Sequence, residues 1–413
     1  MKILFIAQRI GLATKDFTGQ DVKDQTWVAT FLEKLQADDP ELEIGHCFQT
    51  TEVYPRKRQV KGIVYYPMLV DNSKIKRWLN RILGRIPKLE ALKSIQKAVE
   101  DFCPDVIHIF GTEKPYGLLE IKKNIPVIIQ IQGLLNSIFP VYSGSISKIK
   151  LFLAAGIINL FKGGYLFDYL GMKKAAKNEN LIFKRAKHVI GTTQFDESYL
   201  RSKNLTANYY KLNLILREEF YKANWDDNDT PVIVTISNEY TYKGFEIILR
   251  TATFLASMGA EFRWKVIGIS KNGLFVSIYK KIFRNIQVWE RIELLGTLNT
   301  DGIIQALITS GLYVNPSNIE NAPLSLCEAM MVGMPVITSD AGGAKYLVNN
   351  GVDGLIFKTG DHNALAARVR ELFNDRELAT KLGRNAKKTA MIRHDPVEII
   401  KRYKELLNKF IEI

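Results

Sequence analysis

Residues 316–343 read PSNIENAPLSLCEAMMVGMPVITSDAGG. A short apolar run ending at Val314 leads in as a strand, and a polar loop then holds Glu320, Asn321 and Ala322. Pro323 suits the first turn of a helix, where its missing N–H costs nothing. Asn321 is placed to cap that helix. The stretch LSLCEAMMV continues it, Gly333 ends it, and PVIT at 335–338 reads as the next buried strand. A helix that starts at the carboxyl edge of a parallel sheet points free N–H groups and the positive end of its dipole outward, which suits a diphosphate. Glu328 stands among apolar and small residues, so it reads as a semi-buried, paired carboxylate.

Outward from this stretch, strand-like and helix-like segments alternate along the chain. Apolar runs at 2–7, 43–48, 63–66, 105–110 and 127–131 read as strands, with helices at 21–36 and 89–102. A polar linker, NWDDNDT, occupies 224–230. A second series follows it: strands at 232–236, 263–267, 293–295, 312–314 and 335–338, and helices at 245–258, from 323, at 363–374 and from 396. Alternation of this kind predicts parallel sheets covered on both faces by helices. The fold class expected is α/β, with two Rossmann-like doubly wound lobes: residues 1–220 with the last helix, 396–413, crossing back to them, and residues 221–395.

The formal charge is +14 over 413 residues. Residues 51–100 carry +8 and residues 141–190 carry +7, so the whole excess lies in the first half. No nucleic-acid motif accompanies it, and an anionic membrane surface or an anionic, lipid-linked acceptor fits it best. Three cysteines lie far apart with no CxxC pair, which predicts neither a disulfide framework nor a zinc site and fits the cytoplasm. The opening MKILFIAQRIG reads as a first buried strand rather than a signal peptide. The apolar run at 151–161 is short of the roughly 20 residues a membrane helix needs. It reads as a buried helix of the first lobe, with an amphipathic, membrane-facing segment as the alternative.

A second motif, SNEYTYKG at 237–244, follows a strand and opens a helix. Lys243 would stand at the same sheet edge as Glu320. Asp227-Asn228-Asp229 has the form of a DxD metal motif, but it sits in the linker and reads as solvated surface. His108 lies inside a buried strand and reads as core. Glu113 follows that strand and is a candidate for acceptor contact or general base.

The ordered set Pro316-Ser317, Glu320 and Glu328 at a Glu-x7-Glu spacing, Glu328-Ala329-Met330, Gly333-Met334-Pro335-Val336 and Gly342-Gly343 resembles the donor signature of the family-4 retaining glycosyltransferases of GT-B fold. The Glu-Asn-x-Pro variant is similar to enzymes of capsule, O-antigen and exopolysaccharide synthesis. The resemblance covers residues 230–375 well and the first lobe mainly by architecture. It implies two lobes that face a central cleft, with a nucleotide-diphosphate sugar in the second and a glycan or lipid-linked acceptor in the first. Glu320 would contact the transferred sugar. The backbone of Asn321, Ala322, Pro323 and Leu324 would hold sugar and phosphates, Glu328 the ribose, and Lys243 the leaving diphosphate. Cofactor and metal are not implied.

The chain departs from the family pattern at three places. Asn238 stands where the family has an arginine. Gly19-Gln20 replaces a Gly-Gly, and Gln132 or Gly133 occupies the place of a cleft histidine. From these departures follows a second reading, a membrane-surface binder derived from a transferase; a nucleotide-sugar epimerase of the same fold, which needs no acceptor, is a third. A dinucleotide oxidoreductase fails, because AQRIGLA stands where GxGxxG is needed.

Overall fold

The computed structural model describes residues 1–8, 27–50, 57–69, 88–119, 124–156, 165–226, 230–284 and 287–410. The chain divides into two compact units. The first is made of residues 1–139, 167–215 and 395–413, and the second of residues 140–166 and 216–394.

In the first unit, strands β1 (Lys2–Ala7), β2 (Glu43–Thr50), β3 (Arg58–Val60), β4 (Ile63–Leu69), β5 (Val106–Phe110), β6 (Val127–Gln130), β7 (His188–Gly191) and β8 (Asn208–Lys211) form one sheet. Its order is β3-β4-β2-β1-β5-β6-β7-β8. All pairs are parallel except β3 with β4. Strand β1 is central, and Ile3, Leu4, Phe5 and Ile6 are fully buried, so an unbroken apolar run rather than an alternating one is what this position requires. Helices α1 (Trp27–Asp38) and α2 (Lys88–Phe102) follow β1 and β4. The first contributes Val28, Phe31, Leu32 and Leu35 to one core and the second Ala91, Ile95, Ala98 and Val99 to another.

The last helix of the chain packs on this first sheet, in the same core as α1. Its Ile399, Ile400, Tyr403, Leu406 and Leu407 are buried there. The Tyr403 hydroxyl is hydrogen-bonded to His108 Nδ1 at 2.8 Å, and the Tyr403 ring meets that of Phe31 edge-on at 5.0 Å. His108 is therefore a core histidine, and burial pushes its imidazole down to about 3. Tyr403→Ala should destabilise the chain by about 3–5 kcal/mol, the usual cost of emptying a buried aromatic site. Tyr403→Phe should cost only about 1–2 kcal/mol. Urea denaturation of the two variants checks both values.

In the second unit, β9 (Val232–Ile236), β10 (Arg263–Ile267), β11 (Ile292–Gly296), β12 (Leu312–Asn315), β13 (Val336–Ser339) and β14 (Leu355–Phe357) form an all-parallel sheet. The order is β11-β10-β9-β12-β13-β14. This is the doubly wound order, with its topological switch between β9 and β12. The loops leaving those two strands at their carboxyl ends carry the two motifs singled out above.

The structure corrects the domain reading of residues 140–166, which the sequence assigns to the first lobe. They group with the second unit. The helix Lys148–Ala155 buries Leu151 and Ala155 in the same core as Phe245, Ile248, Phe275 and Ile278. It is not buried all round, since Ile149 and Leu153 are 72% and 76% exposed. Its apolar composition told of burial without telling against which sheet.

Candidate donor site in the second unit

Strand β12 runs into a loop that is braced from several sides. Asn315 Nδ2 donates to Thr338 Oγ1 at 3.0 Å, Ser339 Oγ donates to the Ser317 carbonyl at 2.7 Å, and Gly343 N donates to the Glu320 carbonyl at 2.8 Å. Ser317 Oγ donates to Glu320 Oε1 at 2.7 Å. The Gly342-Gly343 end of the motif therefore serves as backbone support for the loop that presents Glu320.

The helix that follows spans Leu324–Val332. Pro323, not Asn321, is its N-cap, with φ −65° and ψ 109°, and no side chain caps it. This corrects the capping expected of Asn321. A proline at the N-cap supplies no oxygen to the first turn, so the N–H groups of Leu324 and Ser325 have no partner among the described residues. An uncapped helix start of this kind is an anion site.

On the neighbouring loop, Thr241–Lys243 form a single 3-10 turn, and Gly244 caps the next helix, Phe245–Ser257, with φ +79°. A side chain at Gly244 would lie 2.1 Å from the Pro316 carbonyl oxygen, so only glycine lets the two loops touch. Their contact brings Lys243 Nζ to within 2.7 Å of Glu320 Oε1, with side chains only 20% and 10% exposed. Both hydrogen bonds to Glu320 fall on Oε1, and Oε2 has no partner among the described residues. Two residues 77 positions apart are thus paired at the switch point of the sheet.

Glu328 lies in the second turn of the same helix and is 3% exposed. Arg217 Nε and Nη2 reach its Oε1 at 3.0 and 2.8 Å, and Arg217 Nη1 donates to Thr300 Oγ1 at 3.0 Å. Burial pushes the Glu328 carboxyl up to about 7, while Arg217 pulls the other way. Oε2 of Glu328 again has no partner among the described residues. Each of the two glutamates is therefore held by one oxygen and leaves the other to accept a hydroxyl. Sequence reading missed Arg217, because it sits in the stretch LREEF with no motif around it.

Asn238, at the place of the family arginine, accepts a hydrogen bond from the Tyr240 amide at 3.3 Å. The 227–229 triplet lies outside the described residues, as does Gly19.

In the first unit, Glu113 follows β5 at that sheet's own switch point, between β1 and β5. Its Oε2 is buried without a hydrogen bond, and burial together with nearby Glu179 pushes the carboxyl up to about 7. Gly111 makes room for it, since a Cβ there would lie 2.0 Å from Glu113 Oε2 and 3.5 Å from Gln132 Oε1. Glu113, Gln132 and Gly133 are thus neighbours. Glu179, by contrast, is fully engaged, accepting from Thr112, Leu135 and Asn136.

Comparison with known proteins places this geometry. Residues 217–389 match the family model described as Glycosyl transferases group 1, and that stretch is a glycosyl transferases group 1 domain. An uncharacterized glycosyltransferase of Methanocaldococcus jannaschii is 26% identical over 346 residues, which is 80% of this chain and 86% of that one. The capsular polysaccharide biosynthesis glycosyltransferase CapM of Staphylococcus aureus is 24% identical over 64% of each chain. Among solved structures, sucrose-phosphate synthase from Thermosynechococcus elongatus superposes with a TM-score of 0.72 at 15% identity, over 100% of this chain and 99% of that one. Anabaena HepE in complex with UDP-glucose superposes with a TM-score of 0.66 at 15% identity, over 99% and 100%. The architecture is that of the GT-B glycosyltransferases.

Proposed function

We propose that the chain is a retaining glycosyltransferase. It would move a sugar from a nucleotide-diphosphate donor to a glycan or lipid-linked acceptor in the synthesis of a cell-surface polysaccharide. The observation that carries this reading is the Lys243–Glu320 pair at the start of an uncapped helix, with Glu328 one turn further in.

The helix start and Lys243 neutralise the diphosphate as it takes up charge in the transition state. Glu328 Oε2 accepts a ribose hydroxyl. Glu320 Oε2 faces the transferred sugar and supports positive charge at its anomeric carbon. The proposal assigns the neutralisation to these groups rather than to a metal ion. The Glu320/Glu328 couple is not an acid–base dyad of the glycosidase kind, because Glu328 serves the nucleotide. On the acceptor side, Glu113 and Gln132 at the carboxyl edge of the first sheet are the proposed contacts, and Glu113 is the proton-accepting candidate.

The polysaccharide setting rests on relatives such as CapM, and a uridine donor is favoured by the UDP-glucose held in HepE. Among the described residues no helix is long and apolar enough to cross a membrane. The anionic membrane surface stays part of the proposal as the place where a lipid-linked acceptor is met.

The test is a transfer assay with UDP-, GDP-, ADP- and dTDP-sugars and a lipid-linked acceptor, with the anomeric proton of the product read by NMR. The expected product keeps the α configuration of an α-linked donor, and its rate is unchanged by EDTA. Inverted product would overturn retention. Conversion of the donor to a free sugar or an isomeric sugar nucleotide without acceptor would replace transfer by the epimerase reading.

A further inference from the structure

The donor half contains a buried carboxylate that the proposed reaction does not use. Glu246 lies in the first turn of the helix after Lys243 and is fully buried. Its Oε1 accepts from Ser145 N at 2.8 Å, from Ser145 Oγ at 3.1 Å and from Asn318 Nδ2 at 2.9 Å. The Tyr279 hydroxyl stands 3.5 Å from its Oε2. Burial raises this carboxyl above the ordinary range, and the donors from Ser145 and Asn318 oppose that.

The three segments that meet there are joined a second time. Asn318 N donates to the Tyr242 carbonyl at 2.8 Å, and the Thr241 hydroxyl donates to the Tyr142 carbonyl. Gly144, at φ +58°, leaves no room for a side chain, since a Cβ would lie 2.4 Å from Glu246 Oε1 and 2.8 Å from the Thr241 carbonyl oxygen. An apolar residue in the volume of Glu246 would leave the buried donors of Ser145 and Asn318 without an acceptor, at a cost in stability. It could not hold three donors from two remote segments. The network spans the turn that carries Lys243 and the loop that carries Glu320.

We infer that Glu246, clasped by residues 142–145 from the first half of the chain, is a positioning residue for the diphosphate subsite. It fixes the 241–244 turn against Asn318 so that Lys243 is held where the outer phosphate binds. This rests on the nucleotide-diphosphate reading given above. Glu246 itself touches no ligand. Residues 140–155 are, on this account, a working part of the donor half.

The test uses the full chain and the Glu246→Leu variant. A leucine fills most of the volume but accepts no hydrogen bond, so Ser145 and Asn318 lose the oxygen on which both now converge. The readout is affinity for UDP against UMP, and for GDP against GDP's own monophosphate, by calorimetry. Lys243 is assigned to the outer phosphate, so the variant should lose about tenfold in diphosphate affinity and leave the monophosphate nearly unchanged. General loosening would weaken both alike, and that result would overturn the inference. Asn318→Ala and Ser145→Ala each remove a donor while leaving the carboxylate. They should move the same ratio in the same direction by a smaller factor, which keeps the test open if Glu246→Leu folds poorly. Wild-type chain that binds neither diphosphate would overturn the functional reading and this inference with it. Wild-type binding with an unchanged ratio in all three variants would overturn this inference alone.

Discussion

Lys243→Ala is expected to lower the rate constant for transfer by about 10²–10³-fold, or roughly 3–4 kcal/mol of transition-state stabilisation. The reason is geometric. Lys243 is the side-chain cation that the structure brings to Glu320, and the arginine of the family pattern is replaced by Asn238, which is uncharged. The alanine variant has a second effect, because it leaves the largely buried Glu320 without its ion partner. Glu320→Gln removes that penalty, so the Lys243→Ala/Glu320→Gln double variant should be less impaired than the product of the two single losses. Coupling of about 0.5–3 kcal/mol is normal for residues in direct contact. Steady-state kinetics on the four proteins of this cycle, with melting curves to confirm folding, gives the number. Strict additivity would show that the 2.7 Å pair has no part in the reaction.

The second large effect concerns Arg217. Removing one partner of a buried ion pair costs about 3–5 kcal/mol, because the other charge is left in a poor environment. Here the remaining charge is a carboxylate already pushed up to about 7, so the penalty depends on pH. The folded carboxyl titrates above its unfolded value. Its contribution to stability is therefore fully present below the unfolded value near 4.5 and is lost as pH rises through about 7. Arg217 recovers part of that loss in the ionised form. In Arg217→Gln the recovery is gone and the carboxyl titrates higher still. The stability difference between wild type and variant should be small at pH 6 and approach the full value above pH 8. Urea denaturation at the two pH values checks this. Equal differences would mean that Arg217 acts through its contacts with Thr300 and the Phe220 ring rather than through the charge on Glu328.

Much of this site is legible in the sequence. The stretch 316–343 carries its own strand, loop, helix and strand, each marked by local chemistry: apolar runs for β12 and β13, Pro323 and Gly333 at the two helix ends. Glu328 reads as paired because a lone carboxylate among Leu326, Cys327, Met330 and Met331 has to be. Its partner was not legible. Arg217 lies 111 residues away at the start of the short helix Glu218–Lys222, and nothing local distinguishes it from the other basic residues of the chain. The same holds for Glu246. A glutamate after Lys-Gly at a helix start looks like a solvated charge complementing the dipole, and only the arrival of Ser145 and Asn318 shows that it is buried.

The placement of residues 140–166 was hidden for a different reason. An apolar helix face predicts burial but not the sheet that buries it, and chain order favoured the wrong one. Asn321 shows the limit of capping preferences. It is a good N-cap residue two positions before a proline that takes the position instead, and the uncapped start that results is what leaves backbone donors for an anion.

The most direct test of the central claim is thermal stability against UDP, GDP, ADP, dTDP and CMP, measured on wild type, Glu328→Ala and Lys243→Ala. A nucleotide that binds only the folded chain at about 100 times its dissociation constant adds roughly 2.7 kcal/mol. The account predicts one clear nucleoside diphosphate hit in wild type, weakened in both variants, through the ribose in Glu328→Ala and through the phosphates in Lys243→Ala. Stabilisation of equal size in all three proteins, or by none of the five nucleotides in wild type, would contradict it.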